Sequence, residues 1–239
     1  DLRENKMRTA LEIAFTLSAY VVFDASLSFL GVPAAVRRLV ALALAALITA
    51  IYLRSQKKKP SQFFDACGIK KAPALSLAVC AVLGVSLNAL CSSVIALLPS
   101  ELTESYATAS APLGALTLVG IVDTVMLAPL VEELIFRRAV LGRLRTIAPC
   151  AAALAASALL FGAFHGGVIW IIYATLCGLA LGALYLKYDS LLPPLIMHAA
   201  FNGANYLFLL LPPEASPYVI AFAAALSVLS ALYIVRNKK

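Results

Sequence analysis

Two adjacent glutamates, Glu132 and Glu133, close a long apolar run in the stretch PLVEELIFRR, and Arg137 and Arg138 follow almost at once. The chain's two histidines also sit in apolar runs, His165 in FGAFHGG and His198 in MHAAFNGAN. Ionisable groups at membrane depth are expensive and therefore mark functional positions by default. A carboxylate and an imidazole flanking a water can deprotonate it for attack on a peptide carbonyl. A second imidazole and a carboxamide can then donate hydrogen bonds to the developing oxyanion. No serine or cysteine is spaced near either histidine as an activated nucleophile requires. A His/His/Glu set also has the makings of a catalytic zinc site, but no His-Glu-x-x-His helix is present, and the metal question stays open.

Helical spacing separates the two glutamates. Glu133 and Arg137 stand at i and i+4 with the acid first, the favoured order for an ion pair. Glu132 points about 100° away and is free to face a water-filled cavity. Pro129 lacks an N–H, so it should release a backbone carbonyl and kink the helix beside the site. Asp123, nine residues before Glu132, falls on the opposite helix face and is expected outside the site. His198, Asn202 and Asn205 follow i, i+4, i+7 and share one face.

The elements that must position these groups are set by composition. Of 239 residues, 62% are hydrophobic and 13% charged, against about 25% charged in soluble domains; mean hydropathy is +0.94. The expected fold is all-α: one polytopic transmembrane bundle over 1–239, its motif-bearing core at 112–211. Apolar runs of spanning length give about eight spans: 10–30, 35–53, 74–98, 112–141, 149–166, 168–186, 191–211 and 217–235. Glycine and proline punctuate them, among others at Gly31, Pro60, Pro73, Pro112, Pro149, Gly166-Gly167, Pro193-Pro194 and Pro212-Pro213. With both termini cytoplasmic, 17 of the 19 lysines and arginines fall on the cytoplasmic side, as the positive-inside rule requires. Only Arg37 and Arg38 fall outside, while Glu101, Glu104 and Glu214 lie in outer loops.

The five cysteines, mostly inside apolar runs, suit packing rather than a disulfide framework. The net charge of +7 follows membrane topology and not a nucleic-acid surface. Counted from the cytoplasmic ends of their helices, Glu132, His165 and His198 lie roughly 20, 24 and 16 Å deep. They can therefore meet in one cavity in the cytoplasmic half or near the midplane of a cell membrane.

The stretches EELIFR (Glu132 to Arg137), FGAFH (Phe161 to His165) and HAAFN (His198 to Asn202) resemble the three ordered motifs of the CAAX-protease and bacteriocin-processing (Abi) family of intramembrane endopeptidases. The resemblance implies Glu132 as general base with His165, His198 and Asn202 as oxyanion hole, and Glu133 with Arg137 as support. It implies a membrane-associated peptide or protein substrate, prenylated or leader-type, and no required cofactor; if zinc is present, Glu132, His165 and His198 would hold it. A proton- or ion-coupled transporter is the competing class, weakened by the lack of an inverted repeat. A non-catalytic bacteriocin-immunity protein that keeps the cavity is a third.

Overall fold

The structure, a computed structural model, describes residues 2–31, 34–55, 67–110, 117–165, 167–208 and 216–237. No strand occurs among them. The helices are α1 (Leu2–Phe29), α2 (Ala34–Ser55), α3 (Ala74–Ala96), α4 (Ser100–Ser110), α5 (118–144), α6 (Cys150–Ala163), α7 (Val168–Tyr188), α8 (Leu192–Phe208) and α9 (Ser216–Arg236).

Local chemistry explains the ends. Pro73 and Pro149 precede α3 and α6 in extended conformation, and Pro193 and Pro194 occupy the first turn of α8, where a missing N–H leaves nothing unpaired. The expected span 149–166 is corrected at its end: α6 stops at Ala163. The His165 N–H turns back to Gly162 O at 2.9 Å, and Gly167 takes φ +74°, a conformation open to glycine. His165 therefore sits on a turn, just past a helix. At the far end of α7, Asp189 adopts the left-handed region at φ 48° and reverses the chain into α8.

A second correction concerns residues 100–110, expected as an outer loop, which form the short helix α4. The span expected at 112–141 begins as helix at Leu118 and continues to Leu144; its proposed start at Pro112 lies outside the described residues, as do the breaks at Pro60 and Pro212-Pro213. Among the described residues, three helical stretches are long and apolar enough to cross a membrane: Lys6–Phe29, Ala74–Ala96 and Val168–Tyr188. Three of the other expected spans depart from a simple crossing helix. α6 has 14 residues and α8 has 17, and α5 carries its charges in mid-course.

α5 is the axis of the packing. Its Val131, Ile135, Phe136 and Val140 join Ala19, Leu42, Phe161 and Ala174 in one buried cluster. On its other side Leu134, Ala139 and Leu141 pack with Leu53, Ala153, Tyr185 and Leu191. α3 and α8 form the closest pair. A Cβ on Gly84 would stand 2.2 Å from Met197 O and 2.9 Å from Phe201 N, so only glycine permits this approach, the small-residue packing familiar from membrane helices. The turn before α8 is pinned as well: Ser190 Oγ donates to Lys70 O (2.7 Å), and Leu191 N donates to Gly68 O (2.8 Å). Together these contacts fix where α8 presents its polar face.

The cysteines depart in part from the packing expectation. Cys67, Cys80 and Cys177 are buried, Cys91 is half-buried and Cys150 is exposed; all are free.

Candidate active site

α5 is not a uniform α-helix. Asp123–Leu127 and Glu133–Leu141 are wound as π-helix, a local form that concentrates at functional sites. In the first of these the Ala128 N–H bonds to Asp123 O, an i to i−5 step. The same register would assign Thr124 O to residue 129, and Pro129 has no N–H. Asn202 Nδ2 takes the released carbonyl instead, at 2.9 Å. The proline thus creates the acceptor that anchors Asn202. In the second π segment, Ser157 Oγ donates to Phe136 O at 2.8 Å.

Glu133 begins that second segment and is fully enclosed. Its Oε2 lies 3.1 Å from Arg137 Nε, both side chains being 1% exposed, close enough for an ion pair although not aligned as a hydrogen bond. Its Oε1 accepts from His198 Nδ1 at 2.9 Å. The Arg137 guanidinium lies over the Phe161 ring, 4.3 Å from its centroid, which offsets part of its burial through cation–π attraction. Nη1 and Nη2 of Arg137 have no hydrogen-bond partner among the described residues. Arg137, Glu133 and His198 form one buried row.

Glu132 stands apart from that row. Its side chain is 24% exposed, and its Oε2 lies 3.6 Å from His198 Nε2. His165 is fixed from the other side: its Nδ1 contacts Phe161 O at 2.8 Å. A carbonyl can only accept, so Nδ1 carries the proton and Nε2 of the neutral ring is the acceptor. The Phe161 ring packs edge-on against both imidazoles, with centroids 4.7 Å from His165 and 5.7 Å from His198, and Trp170 lies 5.6 Å from His165.

Glu132, His165, His198 and Asn202 all line one cavity of about 540 Å³. Asn205 lines it as well, and Asp123 does not. Glu133 and Arg137 lie behind its wall. Among the described residues no group of three or more His, Cys, Asp or Glu side chains is disposed to ligate a metal, so Glu132, His165 and His198 share a cavity without forming a ligand cluster. Several contributors were not singled out as site residues from sequence. Thr124 and Phe161 act through backbone carbonyls, and Trp170 and Tyr173 are cavity aromatics; Phe161 alone carried a signal, as the first residue of the FGAFH motif.

Fold and cavity define an all-helical membrane protein with a carboxylate–imidazole centre enclosed among its helices. Residues 114–204 match the family model described as type II CAAX prenyl endopeptidase Rce1-like, and this segment, which contains every candidate site residue, is similar to that family. Comparison with curated proteins and with solved structures finds no match.

Proposed function

We propose that the protein is an intramembrane endopeptidase that hydrolyses a peptide bond of a membrane-associated substrate with a water activated by Glu132 and His165. The observation that carries this reading is the division of labour between the glutamates. Glu133 is locked between Arg137 and His198, while Glu132 faces the cavity that His165 also lines.

The chemistry follows from the proton positions. The water gives its proton to the Glu132 carboxylate as its oxygen attacks the scissile carbonyl, with His165 Nε2 as the second acceptor that holds it. His198, its Nδ1–H held by Glu133, carries a proton on Nε2 when it is an imidazolium and so becomes a donor to the oxyanion. That state also balances the charges of the site: Glu132, Glu133, Arg137 and His198⁺ sum to zero. Asn202 Nδ2 has two N–H groups; one is committed to Thr124 O and the other completes the oxyanion hole. The proton on Glu132 passes to the leaving amine as the tetrahedral intermediate collapses. Every group named belongs to the chain, and the mechanism requires no cofactor. The bundle is read as crossing the bilayer about eight times with both termini cytoplasmic, in a cell membrane, which puts the cavity within reach of a membrane-anchored peptide from the cytoplasmic half.

Hydrolysis in ¹⁸O-water tests the reading. Purified protein in proteoliposomes should cut a membrane-tethered fluorogenic peptide and place one ¹⁸O in the new carboxylate, and hydroxylamine quenching should trap no acyl-enzyme. A covalent adduct on the protein, or transport of an ion without cleavage, contradicts it.

A further inference from the structure

Beyond the reacting groups, the cavity carries a second polar feature on the wall formed by α3 and α8. Asn88 Nδ2 donates to Asn205 Oδ1 at 3.0 Å, and Ser92 Oγ reaches Asn88 Oδ1 at 3.4 Å. Asn88 is 3% exposed and engaged at both ends of its carboxamide. It therefore holds Asn205 by the oxygen. Asn205 is itself exposed to the cavity, and its Nδ2 has no partner among the described residues. The result is a carboxamide fixed in orientation, with two N–H donors presented to whatever fills the space.

The register along α8 sets its distance from the chemistry. Asn205 stands seven residues after His198, about 10 Å at 1.5 Å per residue. An extended peptide advances about 3.3–3.6 Å per residue, so about three residues of substrate span the gap. The lining also selects the type of acceptor. No lysine or arginine lines the cavity among the described residues, so a carboxylate here would find no cation to pair with. An uncharged oxygen is favoured.

We propose that Asn205, held by Asn88, is a substrate-binding subsite that hydrogen-bonds a main-chain carbonyl of an extended peptide about three residues from the scissile bond. This inference rests on the proteolytic reading above for its placement. Asn205 is a positioning residue and not a catalytic one: it binds ground state and transition state alike, so its loss raises KM and leaves kcat nearly untouched.

The test uses the full-length protein in phospholipid nanodiscs and a lipid-anchored fluorescent peptide whose backbone amides are replaced by esters one at a time, which weakens each carbonyl as an acceptor. One ester, about three residues from the cleavage point, should raise KM ~3–10-fold, the range of one net hydrogen bond. Asn205→Ala should raise KM for the all-amide peptide by a similar factor and abolish the effect of that ester; Asn88→Ala should do the same by releasing Asn205. Additive effects of ester and substitution, or a KM within about twofold of wild type in a variant that melts normally, overturn the subsite. An effect that follows instead from amidating the peptide's C-terminus overturns the uncharged-carbonyl assignment. Equilibrium binding of the same peptide to Glu132→Gln protein separates the two readings. If wild type cuts nothing while Asn205→Ala still weakens binding ~3–10-fold, proteolysis fails and the subsite stands; unchanged binding sinks the subsite even where cleavage succeeds.

Discussion

Replacing Arg137 by methionine isolates the buried row behind the cavity. Arg137 and Glu133 are each 1% exposed with Nε and Oε2 3.1 Å apart; at an effective dielectric near 20 their attraction is about 5 kcal/mol. For the intact pair, desolvation offsets most of that. Arg137→Met removes one charge and leaves the Glu133 carboxylate enclosed with His198 as its one remaining polar contact among the described residues, which costs about 3–5 kcal/mol. For a chain of this size that is a fall of roughly 6–20 °C in melting temperature. Glu133→Gln strands the guanidinium and should be destabilising to a similar extent. The double variant Arg137→Met/Glu133→Gln has no stranded charge and should regain most of the loss, with a coupling energy of at least about 2 kcal/mol. Its peptidase activity should stay low, because His198 Nδ1 no longer faces a carboxylate. Reversible unfolding in bicelles and peptide cleavage on the same samples give both readouts. Single variants within about 1 kcal/mol of wild type, or strictly additive effects, would refute the buried-pair reasoning.

Further outcomes follow from the positioning of α8 and α5. Gly84→Ala places a Cβ 2.2 Å from Met197 O, so α8 must shift and carry His198 with it; kcat should fall at least about tenfold, since small misplacements at a reacting centre are amplified, and unchanged turnover would show that the approach is slack. Pro129→Ala supplies an N–H that competes with Asn202 for Thr124 O; peptide cleavage should drop about tenfold or more with stability unchanged or improved, consistent with loss of one oxyanion donor. A chelator should leave cleavage unaltered, and activity lost and then restored by zinc would transfer Glu132, His165 and His198 to a metal-ligating role.

How much of this was legible in the sequence depended on range. The Glu133–Arg137 pair follows from a four-residue spacing, and the sharing of one cavity by Glu132, His165 and His198 from counting helical rise. Pro129 announced a released carbonyl but not which one, because α spacing points to Val125 and the π register moves the acceptor to Thr124. That register is decided by tertiary partners such as Asn202 and Ser157, which sequence spacing does not reveal. The end of α6 before His165 was foreshadowed by Gly166-Gly167, yet the run of alanine and leucine before it masked the stop. α4 was missed because its eleven residues are too polar for a span and too short for a strong helical pattern. The Asn88–Asn205 contact joins residues 117 positions apart; each asparagine was visible, and their pairing was not.

The central claim is that Glu132 is the base and Glu133 its support. It is tested most directly by cleavage of a membrane-tethered peptide by Glu132→Gln protein beside wild type at matched concentration in the same proteoliposomes. Loss of the base should lower kcat by about 10²–10⁴, with the melting temperature kept, since Glu132 is partly exposed and outside the buried row. Cleavage by Glu132→Gln within about threefold of wild type, well short of what a general base contributes, would contradict the account.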